Sequence, residues 1–184
     1  DQTPRQTMTP PGGFILIAGR PALDLCNTRV GATELIAEPE DLARWFVSVG
    51  LTDRPPVVSR RELAHAHDLR EGLRPALLAS DGPQVAAIAE DWLDRTPGRL
   101  CVERRTLTPR FEPERETSCC LLVAAVLDGL DLVRETPGRV RECAGDSCPV
   151  IYLDTSRNRS RRWCSMEVCG ARAKASTYYR RHRA

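Results

Sequence analysis

The sequence has no run of about 18 consecutive apolar residues, the length that a membrane-spanning helix requires. The short apolar stretch at 14–18 lacks the basic segment and the long hydrophobic region of a signal peptide. Eight cysteines are present, but disulfide-rich scaffolds are typical of short secreted chains without a core of their own. We therefore expect a cytoplasmic protein, with reduced cysteines and no membrane partner.

Histidine is scarce, and its three positions form no catalytic grouping. His65 and His67 are two residues apart and would point in different directions on a helix. His182 lies in a basic tail, so no Ser-His-Asp or Cys-His set can be assembled from local signals. The glycines form no phosphate-binding loop. We expect no enzymatic activity.

Lysine is almost absent: Lys174 is the only one, and arginine carries the remaining basic charge. Residues 139–184 hold eleven basic against four acidic residues, a net charge of +7. The other 138 residues hold sixteen basic against twenty-one acidic residues, a net charge of −5. This asymmetry indicates a polyanion-binding segment attached to an acidic body.

At 184 residues and 41% hydrophobic composition, the chain can form one ordinary domain plus a small appended one. We divide it into a flexible leader at 1–13, a body at 14–138 and a small module at 139–184. The fold class that we expect is α+β. The body is predicted to be mainly helical, with a small antiparallel sheet.

Apolar periodicity and capping signals predict the elements of the body. A capping box at Ser59 and Glu62 starts a helix in which Pro75 predicts a kink or an early end. Strands are predicted at 14–17 and twice within 99–111, with the latter two pairing with residues 14–18. Further helices are predicted at 38–49, 84–94 and 114–134, the last as the spine of the core.

Two C-x4-C pairs, Cys143 with Cys148 and Cys164 with Cys169, are separated by fifteen residues. Two such pairs can supply the four thiolates of a tetrahedral Zn²⁺ site. Zinc would then provide on the order of 10 kcal/mol of the folding free energy, and losing one thiolate would unfold the module. The alternative is two disulfides or four core thiols. The other four cysteines lie in apolar runs and are predicted to be small buried hydrophobes: Cys26, Cys101, Cys119 and Cys120.

The order of elements in the module is typical of a treble-clef-like zinc finger. A strand is predicted at 149–153, a polar loop at 154–162, and a helix at 167–182 that follows Cys164 and carries Cys169 near its start. Five side chains on one side of that helix are expected to pack against the metal core: Val168, Ala171, Ala175, Tyr178 and Tyr179.

Arginines surround the second cysteine pair, and each of them could neutralise one phosphate. Asn158 and the helix arginines are chemically able to contact base edges. The alternative is a solvated basic surface, or arginines that cap the thiolates and pair with Asp146, Asp154 and Glu167. The candidate nucleic-acid-binding residues are Arg157, Asn158, Arg159, Arg161, Arg162, Arg172, Lys174, Arg180 and Arg181.

These segments resemble a known family. Residues 161–166 (Arg-Arg-Trp-Cys-Ser-Met), the loop at 154–158 and residues 169–174 (Cys-Gly-Ala-Arg-Ala-Lys) are similar to the CGNR zinc finger of bacterial proteins. The resemblance implies a DNA-binding transcription regulator. Ala171 stands where the family name has asparagine, which leaves the zinc ligands unchanged.

Residues 22–28 are similar to the Leu-Asp-x-x-Asn-Thr signature of the ABATE domain, a stress-induced transcription regulator domain that is usually fused to this finger. Asp24, Asn27 and Thr28 of that signature could line a pocket for a small ligand. The alternative is that they cap helix starts and turns.

The leading functional hypothesis is a bacterial transcription regulator that binds DNA, with RNA left open, through the finger and its arginines. The body would sense a ligand or form a homodimer. A second hypothesis is a non-catalytic protein-interaction module in which the zinc finger is structural. A third, an enzyme acting on a small molecule in the body, requires a pocket at Asp24 and Asn27.

Overall fold

The computed structural model describes residues 13–17, 19–105, 107–114 and 117–182. Over this part of the chain it contains six α-helices and three two-stranded antiparallel sheets, which confirms the α+β class. The helices are α1 (Pro21–Cys26), α2 (Pro39–Ser48), α3 (Arg60–Ala79), α4 (Gly82–Arg95), α5 (Ser118–Glu135) and α6 (Ala171–His182). The sheets pair β1 (Arg29–Val30) with β2 (Thr33–Glu34), β3 (Gly98–Glu103) with β4 (Thr108–Pro113), and β5 (Val140–Glu142) with β6 (Ile151–Leu153).

Helix α3 begins at the predicted capping box. The Ser59 hydroxyl accepts a hydrogen bond from the Glu62 amide, and the Glu62 carboxylate accepts one from the Ser59 amide at 2.8 Å. The predicted early end at Pro75 is wrong, because the helix continues to Ala79. Burial of Ala76 and Leu77 in the core offsets the cost of about 3 kcal/mol that proline imposes inside a helix.

Helix α5 is the spine of the core, as predicted, although it begins at Ser118 rather than at residue 114. It packs against α1, α3 and α4. Gly129 allows a close approach there, since a Cβ atom at that position would lie 3.4 Å from Leu73 Cδ2 and 3.6 Å from Val85 Cγ1. None of the helices in the described part of the chain is long and apolar enough to cross a membrane.

The strand predicted at 14–17 is not formed, and β3 and β4 pair only with each other within the described residues. Phe14 is instead buried in the main core, and Ile15 is buried against the cysteine cluster described below. Side-chain burial rather than strand pairing therefore holds this segment. Ala18 and residues 1–12 of the predicted leader lie outside the described residues.

The β5–β6 hairpin links the C-terminal module to the body. Val140 and Ile151 belong to the same buried cluster as α1 and α3. Arg74 of α3 donates hydrogen bonds to the Glu142 carboxylate at 2.7 Å and to the Pro149 carbonyl at 2.5 Å. The boundary predicted at 138 therefore separates two sequence segments that share one core at this hairpin.

Candidate metal centre and basic loop

The first cysteine pair lies in the turn between β5 and β6. The Cys143 amide donates to the Val150 carbonyl at 2.9 Å, and the Cys148 amide donates to the Gly145 carbonyl at 3.0 Å. A Cβ atom at Gly145 would lie 3.2 Å from the Cys169 sulfur and 3.4 Å from the Cys143 sulfur. Glycine is therefore the residue that lets this turn close over the sulfur cluster.

The second pair is supplied by a loop and a π-helical turn. Cys164 ends the loop, and Cys169 lies in the turn Met166–Gly170, which continues directly into α6. The Ser165 hydroxyl caps this turn by accepting from the Val168 amide at 3.3 Å. The Ala144 amide donates to the Arg162 carbonyl at 2.8 Å and so joins the two cysteine-bearing segments.

The four sulfur atoms of Cys143, Cys148, Cys164 and Cys169 all lie within 4.8 Å of one another. The Cys164 sulfur is 3.8 Å from that of Cys148 and 3.7 Å from that of Cys169. Four Zn–S bonds of about 2.3 Å in a regular tetrahedron give sulfur–sulfur edges of about 3.8 Å. None of the eight cysteines is in a disulfide, so the disulfide alternative is wrong. The clustering of the four sulfur atoms at these distances confirms the predicted zinc site.

The pKa values of three of these thiols are shifted. Hydrogen bonding from the Cys164 thiol lowers the pKa of Cys148 to about 5. The same contact raises the pKa of Cys164, and burial raises that of Cys169 to about 11. The Cys143 sulfur accepts from the amides of Gly145 and Cys164 at 3.4 and 3.3 Å. Zinc must displace the remaining protons, so its binding releases protons and depends on pH.

Arg161 is part of the framework of the metal centre. Its guanidinium donates to the carbonyls of Trp163 at 2.9 Å, Leu153 at 3.4 Å and Cys164. It also lies 4.6 Å from the centre of the Tyr152 ring, whose hydroxyl donates to the Arg161 carbonyl at 2.6 Å. Arg161, a predicted nucleic-acid-binding residue, therefore positions the loop ahead of the second cysteine pair.

The buried Asp154 organises the loop that follows β6. Its Oδ1 accepts from the Ser156 amide at 2.9 Å and the Ser156 hydroxyl at 2.5 Å, and Ser156 Oγ accepts in turn from the Ser160 amide at 2.9 Å. Burial acts to raise the pKa of Asp154, but the bonds from Ser156 and the nearby Arg141 lower it overall. The carboxylate therefore anchors Ser156, which in turn holds the Ser160 amide. The sequence predicted Asp154 as a partner for arginines and as part of the loop that resembles the CGNR finger, and its bonds to Ser156 were not predicted.

We call residues 157–162 the basic loop. Arg157, Asn158, Arg159 and Arg162 are exposed, and the Arg162 guanidinium lies 5.3 Å from the centre of the Trp163 ring. Within the described part of the chain, neither Arg157 nor Arg159 takes part in a side-chain hydrogen bond or ion pair. On α6, Arg172 and Lys174 are exposed. The side chains of Arg180 and Arg181 are not among those that the structure describes.

Two family models match the chain. The model described as "CGNR zinc finger" matches residues 139–182, and ABATE, described as "Putative stress-induced transcription regulator", matches residues 19–148. The chain belongs to the ABATE family. No curated protein matches it. The two matches overlap at 139–148, which covers β5 and the first cysteine pair, where the module packs on the body.

The ABATE signature residues are engaged in packing rather than grouped around an open pocket. Asn27 bonds to the backbone of Ile151 with both ends of its carboxamide, at 2.9 Å each. The Thr28 hydroxyl donates to the Leu25 carbonyl at 2.6 Å and accepts from Arg70 at 3.0 Å, and Asp24 is buried. These contacts favour a structural role. The ligand role of the three residues stays a prediction.

A cleft of about 810 Å³ opens elsewhere on the ABATE domain. Trp92 and Cys119 line it, together with the polar side chains of Arg61, Glu62, His65 and Arg95. Cys119 Sγ lies 3.7 Å from His65 Nδ1, and burial raises the pKa of this thiol to about 11. The thiol is therefore protonated at neutral pH. No local sequence signal brings these residues together, since they come from three helices.

Two further expectations need correction. Cys26 is buried as predicted, but Cys101, Cys119 and Cys120 are only half-buried. The expected packing of α6 on the metal core is wrong. Ala171, Ala175, Tyr178 and Tyr179 are exposed and Val168 is half-buried. Instead, Ile15 of the body is buried against the cysteines, together with Val150 and Tyr152 from the β5–β6 region. Trp163 packs beside them and is partly buried.

Proposed function

We propose that this ABATE protein is a transcription regulator that binds DNA through its zinc module. The observation that carries the proposal is the exposed basic loop beside the metal centre, in which Arg157 and Arg159 have no acidic partner within the described residues. Arginine suits this role because its planar, permanently charged fork fits phosphate oxygens. The family description as a transcription regulator supports it.

The loop is held in place before any ligand arrives. Ser156, which Asp154 holds, accepts from the Ser160 amide of the loop, and Arg161 donates to the Trp163 carbonyl beside the second cysteine pair. Fewer degrees of freedom are then lost when the exposed arginines contact a polyanion. We therefore assign the positioning of the loop to Arg161. Contact with phosphates is assigned to Arg157, Arg159 and Arg162.

Helix α6 supplies a second part of the interface. Lys174 and Arg172 are exposed on it, and Asn158 of the loop has an amide that can bond the edge of adenine. Ala171, exposed at the start of α6, offers no polar group where the family name has asparagine. We infer that the arginines provide most of the affinity, and that Asn158 is the candidate for base recognition.

The body would regulate this binding rather than catalyse a reaction. We propose that it has no enzymatic activity and that the protein acts in the bacterial cytoplasm. The cleft lined by Arg61, Glu62, His65 and Arg95 is the place where a small polar ligand would bind, because two guanidinium groups, a carboxylate and the apolar Trp92 ring meet there.

The test is fluorescence anisotropy of zinc-loaded protein with random-sequence duplex DNA over a range of salt concentrations. We expect log K to fall linearly with log [salt], and the slope to shrink by about 0.9 for each phosphate-contacting arginine replaced by alanine. Arg157→Ala and Arg159→Ala should show this loss with unchanged thermal stability. Arg54→Ala removes the same charge from an exposed site on the body and should leave the slope unchanged.

Absence of binding by the zinc-loaded protein, or a slope that Arg54→Ala reduces as much as Arg157→Ala does, would contradict the proposal. A labelled RNA hairpin measured in parallel decides between DNA and RNA. The non-catalytic protein-interaction module remains the second candidate, because α6 exposes Tyr178 and Tyr179, 59% and 64% accessible, with no partner element packed over them in the described structure.

A further inference from the structure

The β3–β4 hairpin extends from the body with little support. Leu100 and Val102 of β3 are 73% and 62% exposed, and Phe111 of β4 is the half-buried side chain that packs against the main core. Each strand has only the other as a neighbour within the described residues. An isolated two-stranded hairpin is marginally stable in water and is normally extended or covered. The exposed apolar side chains indicate that a partner covers this one.

The two outer edges of the hairpin differ in hydrogen-bonding capacity. The Glu114 amide donates to the Pro97 carbonyl at 3.0 Å, and pairs along an antiparallel ladder alternate. Arg99 and Cys101 therefore turn their backbone groups toward β4, while Leu100 and Val102 turn theirs outward. On β4 the outward positions include Pro109 and Pro113, which have no N–H. The edge of β4 is blocked and the edge of β3 is open.

We propose that two copies of the chain pair through β3, antiparallel across a two-fold axis at Cys101, and form one four-stranded sheet. In this register Leu100 exchanges two backbone hydrogen bonds with the partner's Val102. Cys101 faces the partner's Cys101 at the close, non-hydrogen-bonded site. Arg99 faces the partner's Glu103, and the two-fold axis repeats each contact.

Charge complementarity selects this register. An axis at Leu100 would place Arg99 opposite the partner's Cys101, and an axis at Val102 would place Leu100 opposite the partner's Arg104. Only an axis at Cys101 opposes unlike charges at both ends and joins the four exposed apolar side chains into one patch. Arg99 also pairs with Glu112 of its own hairpin at 2.7 Å, on the same face of the sheet.

Sedimentation equilibrium of zinc-loaded protein without DNA tests the proposal, so its failure is distinguishable from failure of the DNA-binding proposal. The protein should dimerise at micromolar concentration. Glu103→Lys places two like-charge pairs across the axis and should raise the dimer dissociation constant about tenfold or more. A mixture of Glu103→Lys with Arg99→Glu should form a heterodimer in which both unlike pairs return. Arg54→Ala, at an exposed site outside the hairpin sequence, should dimerise like the unaltered protein.

Amide hydrogen exchange supplies a readout that requires no variant. The amides of Arg99 and Cys101 bond within the hairpin and should be protected at every concentration. Those of Leu100 and Val102 should become protected only as the dimer forms. A protein that stays monomeric at about 100 μM overturns the proposal, as does a dimer whose dissociation constant Glu103→Lys leaves unchanged, or one in which the Leu100 and Val102 amides exchange freely.

Discussion

The carboxamide of Asn27 bonds both backbone groups of Ile151: its amide nitrogen donates to the carbonyl and its oxygen accepts from the amide, each at 2.9 Å. Asn27 follows α1 of the body and is 1% exposed, while Ile151 begins β6 of the zinc module. One side chain thus occupies the open edge of β6 as a neighbouring strand would. This contact couples the ABATE signature to the metal centre.

Replacing Asn27 with alanine should destabilise the protein by about 2–4 kcal/mol, because the Ile151 amide and carbonyl would be left buried and unpaired. Urea unfolding measures the change. Asn158→Ala serves as the matched control, since Asn158 is exposed on the basic loop, and its effect should stay below about 0.5 kcal/mol. Equal effects of the two substitutions would show that the carboxamide of Asn27 does not couple the two parts.

Removing zinc should unfold the module beyond residue 154. The β5–β6 hairpin, which packs on the body, should stay folded. Cys143→Ser, or chelation, should abolish the stoichiometric zinc and expose the amides beyond residue 154 to exchange. The Ile151 amide should remain protected through Asn27. Metal analysis measures the bound zinc, and hydrogen exchange measures the protection of the amides. Cys101→Ser should retain one zinc per chain. Complete unfolding of the body on chelation would contradict this expectation.

Gly145→Ala should weaken zinc binding at least about tenfold. The added methyl group would lie 3.2 and 3.4 Å from two zinc-ligand sulfurs that the metal holds in place, so the first cysteine turn must shift. Competition with a chromophoric chelator gives the affinity. Gly82→Ala is the control, since nothing lies within 4 Å of its Cβ position in the first turn of α4. It should leave the affinity unchanged and be neutral or slightly stabilising.

Stability should fall in acid through Glu34. Burial acts to raise the pKa of this carboxyl, but hydrogen bonds from Arg70 outweigh it and lower the pKa below the usual 4.5. A carboxyl with a lowered folded-state pKa contributes stability above its unfolded value. That contribution is lost as the pH falls from about 4.5 through the folded value. Arg70 is 3% exposed and bonds Glu34 at 2.7 and 2.8 Å.

The Glu34→Gln variant checks this by urea unfolding between pH 3 and 7. It should cost about 1–3 kcal/mol at pH 7 and show a smaller loss below pH 4.5 than the unaltered protein. Glu90→Gln, which changes an exposed carboxyl on α4, should keep the full pH dependence. A Glu34→Gln variant as acid-sensitive as the unaltered protein would assign that sensitivity to other groups.

The metal site could be predicted from sequence because its chemistry is local. The spacing of Cys143 and Cys148, and of Cys164 and Cys169, brings each thiol pair together within one turn. The capping box at Ser59 and the apolar periodicity of α5 were likewise local signals, and both are confirmed. The charge of residues 139–184 is a property of composition alone.

The features that only the tertiary structure decided involve residues that are far apart in the sequence. A short apolar run predicted a strand at 14–17, but Phe14 and Ile15 are buried in two different clusters that no local pattern encodes. Neighbouring arginines have different roles because Arg161 reaches three carbonyls while Arg157 and Arg159 point to solvent. The sequence by itself therefore determined the ligands of the metal and the sign of the charge beside it. Only the folded chain determined which arginines are available, because their availability depends on the carbonyls and carboxylates that folding brings within hydrogen-bonding distance.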